Sequence, residues 1–215
     1  MRRWGLAMAA ACAAVAALVC VQAYSEQGAK PSDAERAQII KDFHRTGLNT
    51  APGDAMFLRI LVEARKAKRG VEVGSATGYG AINMGVGFER NGGHLWTVDI
   101  DPGMVKVCRE NVAKMGLQDT VTVVEGDALK VLPDLEGEYD FVFIDALKQD
   151  YFKYFKALEP KMKPGAVVVA DNAIRSAGEM KDFLDFMAQS PDWEMVVIRS
   201  AMEKNDGMAV CYKVK

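Results

Sequence analysis

The feature that most constrains this chain is an alternation of short apolar runs with amphipathic stretches. The runs fall at Gly70–Val73, Leu95–Val98, Val121–Val124, Phe141–Ile144, Ala166–Ala170, Glu194–Ile198 and Met208–Val214. Each is of strand length, and the first five are almost continuously apolar, as strands covered on both faces must be. Helical patterns lie between them, near 78–89, 102–115, 127–132, 150–159 and 178–189. The second of these carries clear end signals: Asp101 as cap, Pro102 in the first helical position and Gly116 past the end. Strand–helix–strand units with short connections dictate a parallel sheet with helices on both faces. The segment 199–207 joins the last two strands without a helix, which makes them an antiparallel pair at one edge. The expected fold is therefore α/β: a doubly wound, mostly parallel seven-stranded sheet. At 215 residues the chain has room for one such core and not for two.

Ahead of the first strand, Ser32-x-x-Glu35 is a capping-box signature for a helix running to about Thr46. Residues 49–53 (NTAPG) read as a turn. A second helix follows, with Ala55, Leu58, Leu61, Val62 and Ala64 on one side. Arg2 and Arg3 precede an apolar, Ala-rich run from Leu6 to Val21, and Val21-Gln22-Ala23 has the form of a signal-peptidase site. Residues 1–23 are thus read as a signal peptide or membrane anchor, with a soluble helix as the remaining option. Residues 24–32 read as a linker and 33–215 as the catalytic domain. This makes the protein exported or membrane-associated, tethered through residues 5–23 if the segment is retained. Cys108 and Cys211, the cysteines beyond this segment, have no ligand spacing and read as buried thiols. A net charge of −2 with no basic stripe excludes a nucleic-acid footprint. His44 and His94 stand apart rather than as a ligand pair, and Trp193 and the methionines read as packing.

In a doubly wound sheet, ligands bind beyond the carboxyl ends of the strands. The first strand ends in VEVGSATGYG (71–80), where glycines stand at Gly74, Gly78 and Gly80. A dinucleotide loop needs G-x-G-x-x-G so that its second glycine admits a pyrophosphate, and Ala76 holds that place here. S-adenosylmethionine, a nucleoside with a sulfonium and an amino acid but no phosphate, suits the loop better, and Glu72 suits its positive charge. Asp99, after the second strand, lies where a carboxylate accepts the ribose hydroxyls. Asp127, after the third, is placed either to accept from the adenine amino group or to cap the next helix, roles that are compatible. Asp145 ends the fourth strand and Asp171-Asn172 the fifth. These three oxygen donors suit a hard cation such as Mg²⁺, against the plainer readings of a helix cap and a turn. Lys148, three residues after Asp145, returns to the same cleft.

Together, VEVGSATGYG (71–80), TVDIDP (97–102), FIDALKQDY (143–151) and ADN (170–172) resemble the cation-dependent O-methyltransferases. This group includes catechol O-methyltransferase and caffeoyl-CoA O-methyltransferase, and the resemblance spans roughly residues 35–215. It implies a Rossmann-like S-adenosylmethionine methyltransferase fold. It also implies that Glu72, Gly74, Tyr79 and Gly80 line the methionine half of the cofactor, with Ala76, Asp99, Asp127, Ala128 and Asp145 completing its site. Asp145, Asp171 and Asn172 would bind the divalent cation, and Lys148 would be the base. Two departures leave the acceptor open. Ala146 stands where catechol O-methyltransferase has a histidine, and the loop Ser200–Asp206 does not match that enzyme's acceptor-positioning residues.

The expected activity is methyl transfer from S-adenosylmethionine to a metal-chelated hydroxyl oxygen of a small catechol-like or hydroxycinnamoyl-like acceptor, in a chain that pairs as a homodimer if it follows many of its relatives. Two alternatives stand beside it: a metal-independent S-adenosylmethionine methyltransferase, and an exported or tethered non-catalytic S-adenosylmethionine-binding protein. A nicotinamide-dependent reductase is disfavoured by the missing diphosphate glycine.

Overall fold

The computed structural model describes residues 30–215. The signal or anchor expected at 1–23, and residues 24–29 of the expected linker, lie outside the described residues. Among the described residues, no helix is long and apolar enough to cross a membrane.

The chain opens with two helices, α1 (Asp33–Lys41) and α2 (Pro52–Arg65), and then alternates. In order come β1 (Arg69–Val73), α3 (Tyr79–Asn91), β2 (His94–Asp99), α4 (Pro102–Lys114), β3 (Val121–Glu125) and α5 (Ala128–Asp134). They are followed by β4 (Tyr139–Ile144), α6 (Tyr151–Leu158), β5 (Met162–Ala170), α7 (Lys181–Gln189), β6 (Trp193–Ile198) and β7 (Met208–Lys213). The seven strands form one sheet in the order β3-β2-β1-β4-β5-β7-β6. The first five in that order are parallel, while β7 runs antiparallel to both β5 and β6, as the pattern predicts.

Strand periodicity divides the core into two layers. In β4, Val142 and Ile144 join the layer containing Tyr151, Phe155, Phe183 and Trp193, which belong to α6, α7 and β6. Phe141 and Phe143 point the other way, into the layer formed with Leu58, Ile82, Phe88 and Val112 of α2, α3 and α4. Cys108 and Cys211 are buried free thiols, and Trp193 packs edge-on against Phe155 with ring centroids 5.3 Å apart. Both fit the packing roles expected of them.

Three local expectations need correction. The Ser32–Glu35 capping box forms, but α1 stops at Lys41 rather than near Thr46. The chain leaves the helix so that Phe43 meets the Tyr79 ring edge-on at 5.0 Å and Arg45 lies 5.6 Å from the same ring centre. The expected turn at 49–53 ends at Ala51, because Pro52 opens α2, where its fixed φ and missing N–H cost nothing. Strand β5 begins four residues early, at Met162. It accommodates Pro164-Gly165 through an irregularity that moves the register from Tyr139–Met162 to Phe141–Val167.

Candidate active site

Strand β1 lies between β2 and β4, so successive connections leave it in opposite directions and open a crevice at the carboxyl ends. Backbone hydrogen bonds fix the strand tips that border it. Gly74 N–H donates to Val98 O at 2.8 Å, Asp145 N–H to Val73 O at 2.8 Å, and Asp171 N–H to Ile144 O at 3.0 Å. The crevice is a cleft of about 970 Å³, within the size range of small-molecule and cofactor sites.

On the β1–β3 side the cleft is built from a strained turn. Gly74 has φ +94°, and a Cβ there would lie 2.1 Å from the Asp145 carbonyl oxygen. Only glycine lets this loop pass the tip of β4. Ala76 also adopts a left-handed conformation, φ +43°, unusual for a residue with a Cβ. Asp99 holds it there: one carboxylate oxygen accepts the Ala76 N–H at 2.8 Å, and the other accepts the Asp101 N–H at 3.0 Å. Asp127 caps α5 by accepting the Leu129 N–H at 3.0 Å. With Gly126 and Ala128 it also lines the cleft.

Glu72, Tyr79 and Gly80 do not line the cleft, contrary to expectation. Val73 does, and its neighbour Glu72 therefore points to the opposite face of the sheet. There the Glu72 carboxyl is fully buried and accepts a hydrogen bond from the Thr97 hydroxyl. A Cβ on Gly80 would lie 2.4 Å from Glu72 Oε1, so the first turn of α3 seals the acid in. Burial, reinforced by the charges of Asp145 and Asp99, pushes Glu72 up to about 8. A pKa so raised favours the protonated carboxyl at neutral pH.

On the β4–β5 side, Asp145, Lys148, Asp171 and Asn172 all line the cleft, as predicted. A 3₁₀ turn at Lys148–Asp150 folds Lys148 back. Its Nζ donates to Asp145 Oδ1 at 2.9 Å and lies 2.8 Å from the hydroxyl oxygen of buried Tyr151. Burial, with the negative charges of Asp145 and Asp171, drives the Tyr151 phenol well above its ordinary range. It stays protonated, a fixed partner for Lys148. Burial also raises Asp171, helped by Asp145 and opposed by Lys204, to about 6. Asn172 takes a left-handed backbone, φ +61°, and its Nδ2 donates to Asp206 Oδ2 at 2.9 Å. This bond settles which end of the amide is the oxygen and leaves Oδ1 to act as an acceptor.

Several contributors escaped the sequence. Buried Asp206 accepts from Asn172 and also from the backbone N–H groups of Ile174, Arg175 and Gly207, at 3.2, 3.0 and 2.8 Å. Burial would raise this acid, but those hydrogen bonds outweigh it and hold Asp206 below the usual carboxylate range. Lys204 places Nζ 2.6 and 2.7 Å from the two oxygens of Asp171 and 2.8 Å from Oδ2 of buried Asp54. Desolvation would lower this lysine, but the two carboxylates outweigh it and raise it. Leu48, Ile100 and Leu147, all exposed, add apolar surface to the cleft lining. The only advance signal for Lys204 and Asp206 was the charged run Glu203–Asp206 in a loop leading into the edge pair.

A family model described as O-methyltransferase matches residues 33–212. A catechol O-methyltransferase of Niastella koreensis is 35% identical over 60% of this chain and 59% of its own length. One from Mycobacterium tuberculosis is 34% identical over 68% of this chain and 64% of its own. The match thus spans about three fifths of the length of these curated relatives. Among solved structures, cofactor-bound Rv0187 from MTB superposes with a TM-score of 0.74 at 28% identity, covering 91% of this chain and 95% of that one.

Proposed function

The chain belongs to the O-methyltransferase family, and from that premise we propose that it transfers the methyl group of S-adenosylmethionine to a hydroxyl oxygen of a small catechol-like or hydroxycinnamoyl-like acceptor, held beside a divalent cation. The observation that carries this reading is one continuous cleft lined at one end by Gly74, Ala76, Asp99, Asp127 and Ala128, and at the other by Asp145, Lys148, Asp171 and Asn172.

S-adenosylmethionine, when bound, supplies an electrophilic methyl group on its sulfonium. Asp99 would accept from the ribose, Asp127 and Ala128 would border the adenine, and the turn at Gly74–Ala76 would border the sulfonium end. A hard cation such as Mg²⁺ suits the second end because every expected ligand is an oxygen, and when bound it supplies Lewis acidity beside the acceptor oxygen. Asp145 and Asp171 would hold it together with Asn172, whose amide is turned by Asp206 so that its oxygen is the available atom. Lys148 Nζ, steadied by Asp145 and Tyr151, would take the proton of the hydroxyl to be methylated once its own proton has passed to solvent. Ile100, Leu147 and Leu48 offer exposed apolar surface at the cleft against which an acceptor ring would pack, so positioning would contribute much of the rate. The test is a methyl-transfer assay on the full chain with catechols and hydroxycinnamoyl thioesters, with and without Mg²⁺. Cation-dependent methylation of one class supports the proposal, and failure across both classes overturns the acceptor assignment.

One contact favours a second reading, a metal-independent methyltransferase. Lys204 already sets a positive charge against Asp171, so this carboxylate has a counter-charge without a metal ion. Full turnover in excess EDTA selects that reading. The proposal also keeps residues 33–215 as the catalytic domain and residues 1–23 as an export signal or anchor. Cell fractionation with N-terminal sequencing of the mature protein checks the latter.

A further inference from the structure

Lys204 engages both oxygens of Asp171, the carboxylate expected to face the cation, and it does so from a loop that supplies none of the expected ligands. Its Nζ–oxygen distances of 2.6 and 2.7 Å exceed a typical Mg²⁺–oxygen distance by only about 0.6 Å. The ammonium therefore stands in nearly the volume that a small hard cation would take against this carboxylate. Two positive ions so close together in a half-buried site repel strongly.

The same ammonium has a second seat. Asp54, in the first turn of α2, is 1% exposed. Its Oδ2 lies 2.8 Å from Lys204 Nζ, and its Oδ1 accepts from the Ser200 hydroxyl. Asp54 is outside the expected ligand set, so a buried acid is maintained beside the cleft with Lys204 as its counter-charge. The stem of Lys204 is also two residues from Asp206, which orients Asn172. One short loop thus carries a competitor for one expected ligand and the support for another.

We infer that Lys204 is a tethered competitor of the divalent cation: it occupies the cation's seat on Asp171 when no metal is bound and withdraws onto Asp54 when metal binds. This inference rests on the divalent-cation reading proposed above. It makes the positions of the 199–207 loop and of the metal mutually dependent, because each metal-binding event moves the ammonium.

The test exploits a difference in sign. Neither Lys204 nor Asp54 is an expected ligand. If they were merely structural, removing either would weaken metal binding. Under competition, Lys204→Gln removes the rival and tightens Mn²⁺ binding, while Asp54→Asn removes the rival's refuge and weakens it. Free Mn²⁺ measured by electron paramagnetic resonance during titration of the full chain gives the dissociation constants directly. The expected changes are a decrease on the order of tenfold or more for Lys204→Gln and an increase for Asp54→Asn. Should Lys204→Gln fail to fold because buried Asp54 loses its counter-charge, the double variant Lys204→Gln/Asp54→Asn removes both charges together, and it too should bind Mn²⁺ more tightly than wild type. Equal or weaker binding in the lysine-free variants overturns the competition while leaving the metal reading intact. Absence of Mn²⁺ binding in every protein, wild type included, overturns both.

Discussion

Replacing Glu72 with glutamine should make the protein more resistant to alkali without rebuilding its core. The carboxyl is sealed between Thr97 and Gly80, and burial moves it from an ordinary 4.5 to about 8. Between those values the folded chain keeps a proton that the unfolded chain has released. Stability conferred at low pH is therefore lost as pH rises, by about 1.4 kcal/mol for each pH unit. Across the whole interval this amounts to about 5 kcal/mol, comparable to the net stability of many domains. Glutamine has the shape of the protonated acid and can still accept from the Thr97 hydroxyl, but it cannot ionise. At pH 5 the variant and the wild type should unfold at similar urea concentrations. At pH 8.5 the variant should be more stable by several kcal/mol, approaching that 5 kcal/mol ceiling. Asp171, which also titrates in this range, is common to both proteins, so the difference between the two curves isolates Glu72. The measurement is urea unfolding followed by circular dichroism from pH 5 to 9. If the two stability curves run parallel across that range, the account of Glu72 as a buried neutral acid is refuted.

The other predictions concern the cleft. Asp145→Ala, or EDTA on the wild type, should abolish turnover while calorimetric binding of S-adenosylmethionine stays within a few-fold of normal; full activity in EDTA would remove the metal assignment. Lys148→Ala should lower the methyl-transfer rate on the order of 10²- to 10⁴-fold, and a near-normal rate would take Lys148 out of the mechanism. Gly74→Ala places a Cβ 2.1 Å from the Asp145 carbonyl oxygen at φ +94°. It should destabilise the fold by about 3 kcal/mol or more and weaken cofactor binding, both visible in thermal melts with and without S-adenosylmethionine; an unchanged melt would mean the loop relaxes freely.

The sheet was legible because its signal is local. Near-continuous apolar runs such as Phe141–Ile144, spaced by capped helices such as the one opened by Asp101-Pro102, leave few topologies open. Asp145, Asp171 and Asn172 were equally legible, since a residue directly after a parallel strand must reach the ligand end of the sheet. Glu72 lies behind the cleft because the strand alternates, which an argument from charge alone does not register. With Val73 facing the cleft, Glu72 could only face α3. Lys204, Asp54 and Tyr151 were missed for a different reason. Tyr151 meets Lys148 locally across the 3₁₀ turn, whereas Lys204 and Asp54 meet the site only through long-range packing: the loop ahead of β7 against the tip of β5, and the first turn of α2 against that loop. No pattern within either segment announces such a meeting. The early end of α1 belongs to the same class, since it depends on Phe43 and Arg45 finding the Tyr79 ring.

The position of β7 has a consequence for how the molecule comes into being. It follows β6 in the chain yet lies between β6 and β5 in the sheet, so β6 has no strand to pair with until β7 has been synthesised. Asp206 and Lys204 travel with that late strand. A nascent chain halted before residue 204 would carry Asp145, Asp171 and Asn172 with nothing to orient the amide or offset the clustered acids. The β4–β5 end of the cleft should thus be completed only with the last stretch of translation, after the β1–β3 end has been built.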